Sequence, residues 1–179
     1  MARDRHAGGV TLVELLVALT VATITLAGAW SWLWTAAEAS RAAHARGQAA
    51  TVAAAAVRAV GADLQLATAL LPPPGGVPAQ RSLRLLHRHR GEADETVQIV
   101  WDPARGVLWR NAPGTYLADH VADFRVEYLD ALGRALTAEE LQGGGWTRRV
   151  ARLRVTVEVT VGRASSSAAY DVVLMGAGA

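Results

Sequence analysis

From Leu15 to Ala37 the chain carries no charged residue, and the one carboxylate bordering this run, Glu14, is itself flanked by apolar residues. As a helix, these 23 residues would extend about 34 Å, enough to cross a bilayer core of about 30 Å. Helix is the conformation such a stretch demands, because in lipid its backbone polar groups must be satisfied within the segment. An ionisable side chain in this setting is costly and marks a functional position. Upstream lies a short polar segment, Met1 to Gly9, which contains Arg3 and Arg5 and ends in Gly8-Gly9.

The order of these parts is not that of an ordinary secretory signal, whose small residues follow a shorter apolar region. Here Gly8 and Gly9 precede the apolar run. Thr35-Ala36-Ala37-Glu38-Ala39 imitates a small-residue cleavage site, but the run before it is too long for a signal. Arg3, Arg5 and His6 before the span, against Glu38 and Arg41 after it, favour an N-terminus in the cytoplasm. Trp30, Trp32 and Trp34 cluster at the far end, where indole rings mark the outer headgroup zone.

A short basic segment ending in Gly9, then Val10 and, four residues further on, Glu14 open an apolar helix. This segment resembles the class III leader of the type IV pilin and type II secretion pseudopilin family. Val10 stands where that family most often has Phe or Met. The resemblance implies cleavage between Gly9 and Val10 by a membrane-embedded prepilin peptidase, then N-methylation of the new Val10 amine. It also implies a salt bridge between Glu14 and the Val10 amine of a neighbouring subunit. The physical logic is separable from the resemblance. Cleavage creates a cation at the end of an apolar helix, and a carboxylate in lipid gains from meeting one even after desolvation takes back much of the attraction. Val10 and Glu14 of one chain are also within reach of each other at i, i+4.

From Glu38 to Leu71 the chain is rich in alanine, the strongest helix former, and contains no proline. Val57, Val60, Leu64, Ala67 and Leu71 recur at helical spacing and form an apolar stripe. Pro72-Pro73-Pro74-Gly75-Gly76 stops the helix. The expectation is one helix from Val10 to about Leu71, with Gly28, Gly47 and Gly61 as weak points and a break near Gly47 as the alternative. The implied organisation is a leader (1–9), a transmembrane and assembly half-helix (10–37), an amphipathic stalk helix (38–71) and a β-rich domain (72–179).

Beyond the Pro/Gly linker the apolar period changes from helical to alternate. Ser82 to His87, Thr96 to Trp101, Val107 to Arg110, Val121 to Leu129 and Arg152 to Val161 read as strands. Asp102 to Gly106 makes a hairpin turn. Gly162 to Ser167 reads as another turn, before a last strand with Tyr170, Val172 and Leu174. In Arg152 to Val161, Leu153, Val155, Val157, Val159 and Val161 alternate with polar residues, as in a sheet with one wet face. The fold class is therefore α+β: a long N-terminal transmembrane and stalk helix packed on a mostly antiparallel sheet domain, a pilin-like layout. The stretches VWDPARGVLWRN, VADFRVEYLDALGR and RRVARLRVTVEVTVG resemble, in strand order, the J-type minor pseudopilin. The loop from Leu136 to Arg148 departs from that pattern, and minor pilins of type IV pili and competence systems share the outline.

Catalytic motifs are lacking. There is no lysine and no phosphate-cradling loop, and Gly143-Gly144-Gly145 reads as a flexible loop. The chain has no cysteine, so disulfides and thiolate metal sites are excluded. His87 and His89 would share a strand face but have no third ligand nearby, and read as a solvated pair beside Arg88 and Arg90. Asp123, Glu127 and Asp130 lie along a strand and its end rather than in a compact calcium loop. No metal or cofactor is expected. A net charge of +2 gives no general pull on nucleic acid. Arg81, Arg84, Arg88 and Arg90 form a basic patch that reads first as a solvated strand face.

The leading reading is a non-enzymatic minor pilin or pseudopilin that helps start or cap a filament. Its expected partners are prepilin peptidase, other pilin or pseudopilin subunits, an inner-membrane assembly platform and membrane lipid. It would cross the inner membrane once, with its C-terminal domain in the periplasm, before entering a pilus or a type II secretion pseudopilus. A DNA-binding minor pilin using the four arginines, and a signal-anchored extracytoplasmic enzyme or binding module, are the alternatives.

Overall fold

In a computed structural model, the structure describes residues 11–73, 78–88, 93–111, 114–142 and 145–174. The element order is α1 (Leu12–Leu66), β1 (Ala67–Leu71), β2 (Ser82–His87), β3 (Glu95–Asp102), β4 (Val107–Arg110), β5 (Thr115–Ala118), β6 (Val121–Leu129), α2 (Ala138–Gln142), β7 (Arg152–Val161) and β8 (Ala164–Val173). A long apolar helix followed by antiparallel sheets is the α+β, pilin-like layout. The chain divides between Ala43 and His44 into two compact units.

The first unit holds the apolar part of α1, in which every described side chain from Thr11 to Arg41 is exposed. By length and composition this helix can cross a membrane. Its threonine hydroxyls are satisfied locally. Thr20, Thr23, Thr25 and Thr35 donate to the carbonyls of Leu16, Leu19, Val21 and Ser31, at 2.6 to 2.9 Å. Bonding to the preceding turn removes the cost of carrying a bare hydroxyl in an apolar segment. Trp30, Trp32 and Trp34 are all exposed.

The second unit is built on residues 44–66 of α1. Ala49, Ala53, Ala56, Val57, Val60 and Leu64 are buried against the sheets. The apolar stripe at Val57, Val60 and Leu64 is therefore the core face, and alanines extend it N-terminally to Ala49. Hydropathy alone under-reads that extension because a methyl group contributes little. Its use is steric, since small residues let a helix lie close to a sheet. Gly61 is the extreme case: a side chain there would stand 3.2 Å from the Tyr170 ring. The helical assignment continues through Gly28 and Gly47.

α1 ends at Leu66, short of the expected Leu71, and Ala67–Leu71 forms β1. The helical spacing of Ala67 and Leu71 is overridden by pairing with β2, where Ala67 meets His87 and Leu71 meets Arg84. Helix propensity is a weak preference that tertiary context routinely outweighs.

Two antiparallel sheets follow. The larger is a meander in the order β1-β2-β3-β4-β5, and the smaller has the order β6-β7-β8. The strands expected at Ser82–His87, Val107–Arg110, Val121–Leu129 and Arg152–Val161 lie where alternation placed them. β3 exceeds its expected span by one residue at each end. Asp102 shapes the β3–β4 turn, its Oδ1 accepting the N–H groups of Ala104 and Arg105 at 3.0 and 3.2 Å. Gly106 completes that turn at φ +62°. The expected turn at Gly162–Ser167 is shorter than the sequence suggested. β8 begins at Ala164, so Ser165, Ser166 and Ser167 belong to the strand. A tight β-hairpin needs only two residues, and Gly162 at φ +63° supplies its special conformation.

Hydrogen bonds tie the two sheets together. Tyr128 on β6 is buried, with its hydroxyl 3.0 and 3.1 Å from the carbonyls of Ala79 and Ser82, to which it donates. Its ring meets Trp146 edge to face at 4.8 Å. Trp101 on β3 donates its indole N–H to the Val121 carbonyl at 3.2 Å. Phe124 and Val126 from β6 and Leu153, Val155, Val157 and Val159 from β7 fill the core.

Candidate functional site

α1 opens on Thr11-Leu12-Val13-Glu14, the sequence pattern of a capping box. The geometry matches it. The Thr11 backbone N–H donates to Glu14 Oε2 at 2.9 Å, and the Thr11 hydroxyl donates to the same oxygen at 3.0 Å. In return the Glu14 N–H donates to Thr11 Oγ1 at 3.3 Å. The first turn of an α-helix has N–H groups without intrahelical acceptors, and this exchange satisfies those of Thr11 and Glu14. A carboxylate is also favoured at the positive end of the helix dipole.

Both Thr11 donors go to Oε2. Among the described residues, Glu14 Oε1 takes no hydrogen bond. Glu14 is thus oriented by its own turn, with one oxygen held and the other open. The capping role was missed from the sequence, although Thr-x-x-Glu before an apolar run is a sufficient signal for it. Gly9 and Val10, the expected cleavage and methylation positions, lie outside the described residues, as does any contact between Val10 and Glu14.

The other residues considered from sequence are occupied differently. His87 was expected to be solvated; it is 2% exposed. Its Nε2–H donates to the Asp63 carbonyl at 2.9 Å. The reason lies at the helix end: the last carbonyls of α1 have no partner within the helix, and His87 reaches one of them from β2. His89 lies outside the described residues. Arg81 stacks over the Trp101 ring at 5.1 Å, and Arg88 pairs with Asp94 at 3.6 Å. Arg84 sits on β2, and Arg90 lies outside the described residues. Two members of the expected basic patch are therefore already engaged within the chain.

The acidic residues do not converge either. Asp123 pairs with Arg125 at 3.1 Å, and Glu127 with Arg154 at 3.7 Å. Asp130 closes its own turn, with Oδ1 accepting the N–H groups of Leu132 and Arg134 and Oδ2 accepting from the Arg134 guanidinium. The backbone donor of Arg134 holds the Asp130 carboxyl below its ordinary value. No group of three or more metal-ligating side chains gathers among the described residues. Gly143 and Gly144 lie outside them.

The loop from Leu136 to Arg148 contains a second capping box. Thr137 N–H donates to Glu140 Oε2 at 2.8 Å, and Glu140 N–H donates to Thr137 Oγ1 at 3.3 Å. Glu140 also accepts from Arg134 at 2.9 Å and from Arg149 at 2.8 Å. The two boxes share a backbone arrangement and differ in their charges. Glu140 has arginine partners, whereas Glu14 is given none among the described residues.

Comparison with curated proteins and with solved structures found no match. A family description does match: residues 4–30 fit the prokaryotic N-terminal methylation motif. The matched span holds the leader from Asp4, with Arg5, then Gly9, Val10, Glu14 and the first part of the apolar helix. It supports a prepilin of the type IV pilin and pseudopilin kind, a structural subunit that is processed by prepilin peptidase and assembles with other pilin subunits. Residues 4–30 therefore carry the signal of a type IV pilin-like, membrane-anchored prepilin.

Proposed function

We propose that this chain is a minor pilin or pseudopilin, cut between Gly9 and Val10 and methylated at the Val10 amine. It enters a type IV pilus or a type II secretion pseudopilus through α1 and helps to initiate or cap the filament. The observation that carries this reading is the pose of Glu14. A lone carboxylate stands just before the charge-free run from Leu15 to Ala37, with one oxygen fixed by Thr11 and no hydrogen bond to the other among the described residues. A fixed anion in an apolar setting attracts a cation of matching depth. Processing would create such a cation at Val10 of a neighbouring subunit. The chain begins its journey anchored in the inner membrane with the sheet domain in the periplasm, an orientation supported by Arg3 and Arg5 before the span.

The direct test is mass spectrometry of the N-terminus of the mature chain. The expected result is a first residue Val10 carrying one added methyl group; any other starting residue removes the reading. In cells, Glu14→Ala is expected to abolish incorporation into the filament while leaving cleavage and the folded sheet domain intact.

A further inference from the structure

The far end of the charge-free run carries Trp30, Trp32 and Trp34, which are 70%, 70% and 61% exposed. Among the described residues none of their indole N–H groups has a hydrogen-bond partner. From Glu14 to Trp34 the helix rises about 30 Å, the thickness of a bilayer core. A span entered at Glu14 therefore ends at the tryptophans. An indole buries its ring and keeps its N–H for water or lipid oxygens, which suits that level.

The face that two of them share continues to a cation. At about 100° per residue, Trp30, Trp34 and Arg41 fall within about 40° of one another around α1. Trp32 falls about 160° from Trp30, on the opposite side. Arg41 is exposed and stands roughly 10 Å beyond Trp34 along the axis. Helical side chains lean toward the helix N-terminus, and the long stem of arginine lies along apolar surface. Its guanidinium thus reaches back to the headgroup layer, which is about 5 to 8 Å deep. Glu38 lies three positions before Arg41 and is also exposed, yet the two form no ion pair among the described residues. The guanidinium is therefore not neutralised within the helix. All of these residues belong to the first unit.

We propose that Trp30, Trp34 and Arg41 hold the headgroup of an anionic phospholipid at the end of the span. The occupant follows from charge and depth. A planar guanidinium offers paired donors to phosphate oxygens. Deeper in, the indole N–H groups on the same face meet the ester oxygens of that lipid. A zwitterionic lipid carries its own ammonium beside the phosphate and gains less from Arg41. A soluble anion has no acyl chains to lie against the apolar helix below. Glu38 opposes the headgroup and limits the affinity. Drawing the subunit out of the bilayer breaks the contact, so the lipid adds to the cost of extraction. The proposal rests on the membrane-anchored reading above.

The test places the full-length chain in vesicles of equal parts phosphatidylglycerol and phosphatidylcholine and reads the retained lipid by native mass spectrometry. Retained phosphatidylglycerol is expected to exceed phosphatidylcholine by about fivefold, the preference that one arginine near a charged surface supplies. Arg41→Gln is expected to bring the ratio close to parity, and Glu38→Gln to raise it. Glutamine is a good helix former and both positions are exposed, so α1 persists in each. Trp30→Leu with Trp34→Leu should lower the total lipid retained, whereas Trp32→Leu should not. An even ratio in the wild type overturns the proposal. So does an equal fall in Arg46→Gln, which would mark a diffuse field in place of a site. A wild-type chain that alkaline carbonate washes from the vesicles removes the membrane anchor itself, and this proposal with it.

Discussion

Arg110 on β4 places its Nε 3.1 Å from both carboxylate oxygens of Asp63 on α1. The pair is largely shielded from water and tied further to Glu95, 3.5 Å from Arg110 Nη2. Asp63 is joined to the larger sheet twice, since its carbonyl also accepts from His87. This polar junction sits at the point where helix gives way to sheet.

Removing Asp63 from this largely shielded pair leaves Arg110 with its longer contact to Glu95, at a cost of about 1 to 3 kcal/mol. Asp63→Ala is expected to destabilise the chain by that order in urea unfolding. The double variant Asp63→Leu with Arg110→Met should recover part of the loss, because the guanidinium is removed together with the carboxylate it faces and the half-exposed Glu95 remains open to water. A double-mutant cycle with no coupling between the two positions would contradict the junction.

Replacing His87 by phenylalanine keeps an aromatic ring but leaves the Asp63 carbonyl without its donor. An unmet buried polar group costs about 1 to 3 kcal/mol. The expected result is a lower urea midpoint with an unchanged m-value.

At the other end of α1, Thr11→Val removes the hydroxyl and keeps the shape. Amide exchange at Glu14 should quicken as the first turn frays, and Thr11→Ser should restore it. The same variant is expected to lower filament incorporation less than Glu14→Ala does. Thr11 positions the carboxylate, whereas Glu14 supplies the charge.

The loop box responds to pH. The Arg134 side chain, then the Thr137 N–H and the Arg149 side chain, hold the Glu140 carboxyl well below its ordinary value of 4.5. A depressed carboxyl contributes stability that is present above its unfolded value and lost as the pH falls through its folded value. Stability should therefore decline on acidification below about 4.5 through this group. Arg134→Ala should raise the Glu140 carboxyl and shrink that slope. A carboxyl-carbon NMR titration of Glu140 in the two chains checks the direction.

Much of the architecture was legible because its signals are strictly periodic. β7 alternates without interruption from Leu153 to Val161, and the span before Ala37 is charge-free, so few conformations suit either. The elements that were not legible are those whose residues suit several states. Ala67-Thr68-Ala69 continues a helical pattern and becomes strand only because β2 is there to pair with it. The serines after Gly162 read as turn residues, but the turn is completed earlier and the hairpin carries them into the ladder. His87 resembles its polar neighbours in sequence, and its burial depends on a helix carbonyl contributed from 24 residues earlier.

The N-terminal site divides in the same way. Residue order alone gives Gly9, Val10 and Glu14 the spacing expected of a leader, a first mature residue and its carboxylate, and residues 4–30 match the N-terminal methylation motif. The posture of the carboxylate came from the folded turn: Thr11 holds one oxygen and leaves the other open. In the second unit, composition and periodicity determined that an alanine-rich helix meets antiparallel strands. Only the tertiary structure decided where the helix stops, which carbonyl His87 serves and that the serines after Gly162 enter the ladder. The physical reason is range. Periodicity acts between neighbours along the chain, whereas hydrogen bonds at helix ends and strand edges are settled by groups that only folding brings together.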